Sequence, residues 1–453
     1  MTEIFDRIAL VSDGCSRILV EQTADGFRLP RWEPSEIIYG HVVGPFNEAL
    51  RRDLGLDVTS LRYLGRYQHA TTGRHCLVYE MEWHNTGWRP PASFRWVSHE
   101  EWTGLGHVAE ERPFLDEWYA EAESGVLPPQ RAPWAIRGWR SGALAWFTEQ
   151  ARQLGRPLTG PVEQDRGWGI STVLRAPAGE SFLYFKASGN LFREEPAITR
   201  ALARLAPDRL PVVLAAEAGR AWMVMADFGG VPLKGTEEPA PWEEALREFA
   251  RLQIASLDHE DRLLAAGVRD RRLPTLSSAF AALMEIDEAL MPGHPSGLSG
   301  EQIEALRGLV PWVEDACDRL GRAGIPHTLV HGDLHSGNVA VTPRGPVFFD
   351  WSDAAWSHPF LDLVPFFSDG FEGPRADQRD RLRDAYLEPW SALDGSDGLH
   401  ETFELAQTVG AAYQAVSYWL IVESLEPASR CELKNGIPHF LRLLLERHQA
   451  TQR

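Results

Sequence analysis

The amino-acid sequence predicts an α+β protein in which a small β-rich lobe and a larger helical lobe follow a separate N-terminal domain of α/β/α type. Three observations carry that prediction. The first 125 residues hold short apolar runs of strand length around a single helical stretch. Residues 167 to 225 alternate β-branched and aromatic runs with glycines, and from Pro241 onward the apolar residues recur at helical spacing.

In the N-terminal part, Arg7-Ile-Ala-Leu-Val11, Arg17-Ile-Leu-Val20 and Gly26-Phe-Arg-Leu-Pro30 read as strands. Residues 47 to 58 read as a helix closed by Gly55, and further strands are expected around Tyr63 to Tyr67 and Cys76 to Trp83. The tract from Glu121 to Pro133 is rich in proline and small polar residues, which sets the domain at 1–125 and a linker at 126–138.

Residues 134 to 154 place Leu144, Phe147 and Ala151 at helical spacing, as an entry helix. A β-hairpin follows: Gly167 to Arg175, a turn over Ala176 to Glu180, and Ser181 to Lys186. Glu194 to Leu205 is a helix with Pro196 in its first turn, where the missing N–H is harmless. Leu210 to Leu214 and Ala221 to Met225 are two more strands, broken by Ala226-Asp227-Phe228-Gly229-Gly230. The small lobe is thus 139–228 and the helical lobe 229–453. In the latter, Ala245, Phe249, Leu252 and Ile254 share a face, Met291 to Gly297 interrupts the helices, and a last long helix spans Glu401 to Glu423.

The chemistry concentrates in Leu329-Val-His331-Gly332-Asp333-Leu-His335-Ser-Gly337-Asn338-Val339 and in Val347-Phe-Phe-Asp350-Trp351. Asp333 and Asn338 stand five positions apart in a glycine-bearing loop, so the backbone can turn both side chains into one cleft. Val339 to Thr342, the turn Pro343-Arg-Gly345 and Pro346 to Phe349 read as a hairpin that returns Asp350 to the loop it left. Two carboxylates and a carboxamide converge there, a donor set suited to a magnesium-bound phosphate group.

Composition narrows the partners. A formal charge of -19 and a pI near 5.3 do not supply the clustered Lys and Arg that nucleic-acid phosphates need, and an acidic cleft would favour a cationic substrate. Cys15, Cys76, Cys317 and Cys431 lack metal-ligand spacing and read as reduced thiols. The first residues carry no signal-peptide pattern and no apolar run approaches the roughly 20 residues of a membrane span, so a cytoplasmic protein without membrane partners is expected.

The string His331-Gly-Asp-Leu-His335-x-Gly337-Asn338, with Asp350 at the end of the next strand, resembles the signature of the aminoglycoside phosphotransferase family, a small-molecule branch of the protein-kinase-like fold. The resemblance covers the last two-thirds of the chain. It implies Asp333 as catalytic base, Asn338 and Asp350 as Mg2+ ligands, and ATP as phosphoryl donor. By the same resemblance Gly167, Gly169 and Ser171 belong to the turn over the phosphates, and Lys186 pairs with Glu195, Glu194 being the alternative, to place them. Ala226, Asp227 and Phe228 form the hinge beside the adenine, where Met223 and Met225 line the pocket. Asp362 corresponds to an anchor of the loop, and the segment carrying Asp353 faces the acceptor. The acceptor class is a hydroxyl-bearing small molecule: an aminoglycoside-like antibiotic, a sugar, an amino alcohol or a nucleoside. Trp351 replaces the Phe of protein kinases, and no activation loop is visible.

The N-terminal order of elements resembles the Nudix hydrolase fold over roughly the first 120 residues, a usual domain length. Aligning Gly55 with the glycine that closes the Nudix helix puts Ala49, Arg52 and Asp53 where that family has three metal-binding glutamates. One carboxylate of three cannot build a magnesium-pyrophosphate site, so the domain is expected to lack hydrolase activity, with Glu48 and Arg52 paired on its surface. Two rival readings are a Nudix-type nucleoside diphosphate hydrolase, against which Ala49 and Arg52 count, and a nucleotide-binding pseudokinase acting as an interaction module, against which the presence of Asp333, Asn338 and Asp350 counts.

Overall fold

A computed structural model describes residues 4–14, 16–24, 26–104, 106, 108–368, 373–393 and 398–451. The chain forms two compact units: Met1–Leu191 together with Glu423–Glu432, and Phe192–Val422 together with Leu433–Arg453.

The first unit begins with strands β1 (Asp6–Val11), β2 (Arg17–Thr23), β3 (Gly26–Arg28) and β4 (Arg31–Trp32), helix α1 (Gly44–Leu54), and strands β5 (Val58–Gln68), β6 (His75–Trp83) and β7 (Phe94–Ser98). These make a mixed four-stranded sheet in the order β4-β1-β6-β5, with β1 and β6 parallel, and a three-stranded sheet β3-β2-β7. Every residue of β1 is buried, as a strand covered on both faces requires. Ile8 and Leu10 pack with Trp102, Trp118 and Tyr119, while Ala9 and Val11 pack with Val43, Phe46 and Leu50 of the α1 side. After the short helix α2 (His99–Thr103), α3 (Arg112–Ser124) closes the opposite face.

The unit continues with α4 (Trp139–Gln153) and strands β8 (Glu163–Gly167), β9 (Ser171–Ala178) and β10 (Ser181–Ser188), β9 pairing antiparallel with both neighbours. Gln164 of β8 joins them to the N-terminal sheet: its Oε1 accepts from Ser60 N–H at 2.9 Å and its Nε2 donates to Ser60 O at 2.9 Å. The same Oε1 accepts from Asn47 Nδ2 at 3.0 Å. A buried ion-pair chain holds the returning segment 423–432. Arg62 pairs with Glu80 at 2.7 Å and Glu121 at 3.2 Å, and Arg131 pairs with Glu121 and Glu426, each at 2.7 Å.

The second unit contains α5 (Glu195–Leu205), β11 (Val213–Glu217), β12 (Trp222–Ala226), β13 (Val231–Pro232), α6 (Pro239–Ser256), α7 (Glu260–Ala265) and β14 (Arg269–Asp270). Helices α8 (Leu273–Leu283), α9 (Asp287–Leu290), α10 (Gly300–Gly308) and α11 (Val310–Arg322) come next. Strands β15 (Thr328–Val330), β16 (Val339–Thr342), β17 (Gly345–Phe348) and β18 (Ala355–Ser357) are followed by α12 (Arg379–Trp390), α13 (Leu399–Ser424) and α14 (Gly436–Thr451). One large apolar cluster fills this unit, from Ile198 of α5 to Leu445 of α14.

Several boundaries differ from expectation. Helix α1 starts earlier, with Pro45 in its first turn, and Val58 opens β5 because Gly55 in the left-handed region (φ 66°) has already ended the helix. Glu121 to Ser124 form the last turn of α3 rather than a connection. The entry helix begins at Trp139, and the hairpin turn contracts to Gly179-Glu180 (Gly179 φ 72°), the strands running on through Ala178. The strand expected from Leu210 begins at Val213, and α14 rather than α13 is the final helix. Arg52 pairs not with Glu48 but with its neighbour Asp53 at 2.7 Å, both side chains well exposed. Among the described residues no helix is long and apolar enough to cross a membrane.

Glu111 is fully buried beneath this first unit, accepting from Leu29 N–H and from the Tyr67 hydroxyl, each at 2.9 Å. Burial pushes its carboxyl up from the ordinary 4.5 to about 7, the two hydrogen bonds offsetting only part of that. Because the folded value lies above the unfolded one, the proton it holds stabilises the fold fully below about pH 4.5, and that contribution is lost as the pH climbs to about 7. Glu111→Gln should therefore flatten the decline of melting temperature between about pH 5 and pH 8. An unchanged slope in thermal melts would show that Glu111 titrates normally.

Candidate active site

Strand β15 lies beside β18 and delivers the loop that begins at His331. Two features shape that loop. Gly332 has φ 84°, and a Cβ there would stand 2.3 Å from Asp353 O, so only glycine fits. Asp362, 1 % exposed, accepts hydrogen bonds from His331 N–H and, at 2.8 Å, from Gly332 N–H. Burial pushes the Asp362 carboxyl up to about 7 against the pull of those two donors. It is the anchor that the sequence implied.

Asp333 follows directly. Asn338, nearly buried, donates its Nδ2 hydrogen to Asp333 O at 3.0 Å, which leaves Oδ1 without a partner among the described residues. Strands β16 and β17 pair from Val339↔Phe348 to Thr342↔Gly345 and bring the chain back, where Phe349 N–H donates to Asn338 O at 3.1 Å and His331 Nε2 contacts Phe349 O at 3.0 Å. The next residue, Asp350, takes a left-handed conformation (φ 66°, ψ 62°), a cost tolerated where a side chain must be aimed. Ser352 Oγ donates to Asp350 Oδ1 at 3.0 Å. Burial, then the charges of Asp353, Asp350 and Asp362, hold the Asp333 carboxyl well above the usual carboxylate range.

The donor set fits Mg2+. One carboxylate (Asp350) and one free carboxamide oxygen (Asn338) are what this ion takes from a protein when phosphates and water fill its octahedron. Among the described residues no cluster of three or more His, Cys, Asp or Glu forms a protein-only metal cage.

The remaining expected site residues fall in two places. In the second unit, β12 ends at Ala226, whose N–H donates to Val212 O at 3.0 Å, and Asp227 Oδ1 accepts from Gly229 N–H at 2.9 Å. Phe228 lies against Phe349 with ring centroids 5.2 Å apart, and β13 pairs with β16, so the segment after β12 borders the Asp350 hairpin. Glu195 opens α5 and is 1 % exposed.

In the first unit, Lys186 sits on β10 opposite Val173 and is 5 % exposed. Gly167 N–H donates to His41 O at 2.9 Å, Trp168 packs on the His41 ring at 4.7 Å, and Ser171 Oγ accepts from Trp168 Nε1 at 2.9 Å. Gly169 N–H donates to Glu432 Oε2 at 3.1 Å, and the space a Cβ would need is filled by Leu425 and Ser429. This glycine turn is thus held by the returning segment 423–432, a contact with no local sequence signal because it joins residues 263 positions apart.

The signature of the phosphotransferase enzyme family matches residues 165–396, just over half of the 453 residues, and the chain belongs to that family. By that membership it is a phosphotransferase. Among solved structures, choline kinase LicA from Streptococcus pneumoniae is 14% identical, with 68% of this chain and 99% of that one covered at a TM-score of 0.48. Choline kinase from Cryptosporidium parvum Iowa II is 12% identical (68% and 96% covered, TM-score 0.48). The aminoglycoside phosphotransferase APH(3'')-Id from Streptomyces rimosus, solved with ADP and streptomycin, is 18% identical (60% and 97% covered, TM-score 0.39). No curated protein sequence matches the chain.

Gly332→Ala should destabilise the protein by about 2–4 kcal/mol and remove phosphoryl transfer, since the methyl meets Asp353 O and the left-handed backbone is strained for alanine. Thermal unfolding alongside a turnover assay checks this, and a melting temperature equal to that of the unmodified protein would contradict it.

Proposed function

We propose that this phosphotransferase moves the γ-phosphoryl group of ATP, with Mg2+, to the hydroxyl of a small molecule. The observation that carries the reading is the single loop and hairpin bearing Asp333, Asn338 and Asp350, with Asp350 turned by its left-handed backbone. Asp333 accepts the proton of the acceptor hydroxyl while that oxygen bonds to the γ-phosphorus and ADP departs with the electron pair of the broken bond. Asn338 Oδ1 and the Asp350 carboxylate would hold Mg2+, which when bound supplies positive charge at the phosphates. Lys186 and Glu195 orient the α- and β-phosphates, Gly167, Gly169 and Ser171 belong to the turn above them, and Ala226, Asp227 and Phe228 border the adenine. The proposed organisation is 1–125, linker 126–138, small lobe 139–228 and helical lobe 229–453.

For residues 1–125 we propose a Nudix-like domain without hydrolase activity. The mixed sheet with its parallel pair and a helix on each face supports the fold. The lack of activity is supported by Ala49, which is 2 % exposed in the core, and by the mutual pairing of Arg52 and Asp53, a set that offers no converging oxygens.

Asp333→Asn should abolish transfer to every acceptor while ATP affinity stays within a few-fold, a change below about 1 kcal/mol, and Asp350→Ala should cost on the order of a thousandfold or more in turnover. A screen of hydroxyl-bearing metabolites and antibiotics for ADP release, with the Asp333→Asn protein as blank, measures both. Normal turnover in either variant, or no Mg-ATP binding to the unmodified protein by calorimetry, would refute the assignment. In the Asp350→Ala protein we further expect no magnesium-dependent release of nucleoside monophosphate from nucleoside diphosphate derivatives; robust release would make the N-terminal domain a hydrolase.

A further inference from the structure

Beside the catalytic loop the second unit carries a charge cluster that the phosphate chemistry does not use. Strand β14 runs parallel to β18, which in turn pairs with β15, so Arg269 and Arg271 stand at the edge of the small sheet that delivers Asp333. Arg269 lies 4.0 Å from Asp353 Oδ1, donates to Ser352 O at 3.2 Å and covers the Phe192 ring at 5.1 Å. Asp353 is the residue whose backbone confines Gly332, and its charge is the largest electrostatic influence on Asp333. The cluster therefore lies within electrostatic reach of the catalytic carboxylate.

Arg271 differs from its neighbour. Its guanidinium stacks on Tyr413 at 3.9 Å from the ring centroid, donating to Ser417 Oγ at 2.6 Å and to Tyr413 O at 3.5 Å. Among the described residues no carboxylate oxygen comes within 4.0 Å of it, whereas Arg272 next to it pairs with both Asp270 and Glu260. The rest of the Arg271 fork has no partner among the described residues. Burial lowers the pKa of Arg269, the Asp353 charge opposes that, and the adjacent Arg271 charge adds a smaller push down. Tyr413, 1 % exposed, has a hydroxyl with no hydrogen-bond partner among the described residues, and that hydroxyl lies in the field of Arg271, Asp362, Asp353 and Arg269. A buried phenol left unpaired is destabilising unless something else bonds it. The residue after it, Gln414, donates to Gly332 O at 2.9 Å, so the helix that carries these groups also touches the catalytic loop.

We propose that the acceptor carries, besides the hydroxyl that is phosphorylated, an anionic group, a carboxylate or a phosphate monoester, which is bound by Arg271 and the Tyr413 hydroxyl. Guanidinium is suited to this by its planar fork, which pairs two N–H groups with two anion oxygens, and the phenol supplies a further donor. The proposal rests on the reading of Asp333 as the catalytic base, and it selects among hydroxyl acceptors the sugar acids, hydroxy acids and sugar phosphates over the polycations.

The experiment pairs acceptors of like skeleton: gluconate against glucose and glucosamine, ribose 5-phosphate against ribose, with choline and kanamycin as cations. ADP release from Mg-ATP is followed with the full-length protein, and calorimetry measures gluconate and ribose 5-phosphate binding directly. One of the two anions should exceed its neutral partner at least tenfold in kcat/KM, and which one does so separates a carboxylate from a phosphate monoester. Arg271→Gln should raise KM for it tenfold or more with kcat changed less than threefold, Arg271→Lys should recover part of the loss, and Arg220→Gln, an exposed arginine elsewhere, should do neither. Preference for choline or kanamycin, binding of neither anion, or an Arg271→Gln protein that melts earlier but keeps its KM would overturn the proposal. Anion binding that depends on Arg271, without phosphorylation of any acceptor, would keep the anion site and refute the phosphotransfer reading instead.

Discussion

The geometry of the candidate site depends on one buried carboxylate. Asp362 accepts from the backbone N–H groups of His331 and Gly332, which fixes the entry into the loop that carries Asp333 and Asn338. The carboxylate is in turn held from the helices: Gln253 Nε2 lies 3.5 Å from Asp362 Oδ2, and Tyr386 donates to Gln253 Oε1 at 2.6 Å and to Pro359 O at 3.2 Å. Gln407 and Gln414 bind the carbonyls of Phe360 and Gly332 at 2.7 and 2.9 Å. Hydrogen bonds to a charged acceptor contribute about 1.5–3 kcal/mol each, and breaking such a buried set costs more than it contributes because the remaining groups are stranded. The large helical unit therefore acts as the frame that holds a few loop residues in a conformation their own sequence would not keep.

That division explains what was legible in the sequence. The placement of Asp333, Asn338 and Asp350 on one loop and hairpin was readable because their spacing is set by local backbone: a loop of fixed length and a hairpin of fixed register, closed from Val339↔Phe348 to Thr342↔Gly345. Asp362 could be named as an anchor because it lies close in sequence to what it anchors. The glutamines 253, 407 and 414 could not, since a glutamine buried in a helix interior has the same local pattern as one facing water, and its partner is chosen by tertiary packing. The same limit applied to the strand β8, whose sequence Glu-Gln-Asp-Arg-Gly has no apolar alternation. It is a strand because Gln164 bonds both backbone groups of Ser60 and Asn47 besides, a tertiary reason invisible in a local window.

The first unit gives the glycine turn an unusual setting. Gly169 donates to Glu432, whose carboxyl burial and the nearby Glu426 push up to about 8. Glu426 itself is held by Arg131 and Arg62, which are held by Glu121 of α3. The turn that the family resemblance assigns to phosphate binding is thus joined through a buried ion-pair chain to the N-terminal sheet and its helix. Within this unit the turn is thereby braced by residues far from it in sequence, through contacts that involve no catalytic chemistry.

Net charge and local charge point in opposite directions here, and the local one decides recognition. The formal charge of -19 sums over 453 residues, and charges on a solvated surface are screened within roughly 10 Å by physiological salt. Net charge of this kind acts over the outer surface and does not set the field inside a cleft. On the proposed reading the carboxylates there are already committed: Asp350, with Asn338, to a divalent cation and Asp333 to the acceptor hydroxyl, while Asp362 accepts from two backbone amides and Asp353 faces Arg269. What is left over is the half-buried guanidinium of Arg271, lying flat on Tyr413 with most of its fork unengaged among the described residues. A bound polycation would add charge beside it, while an anion would pair with it. The composition of the whole chain therefore argues for one class of acceptor and the wall of the site for another, and the energy of an ion pair at a few ångströms outweighs that of a screened surface.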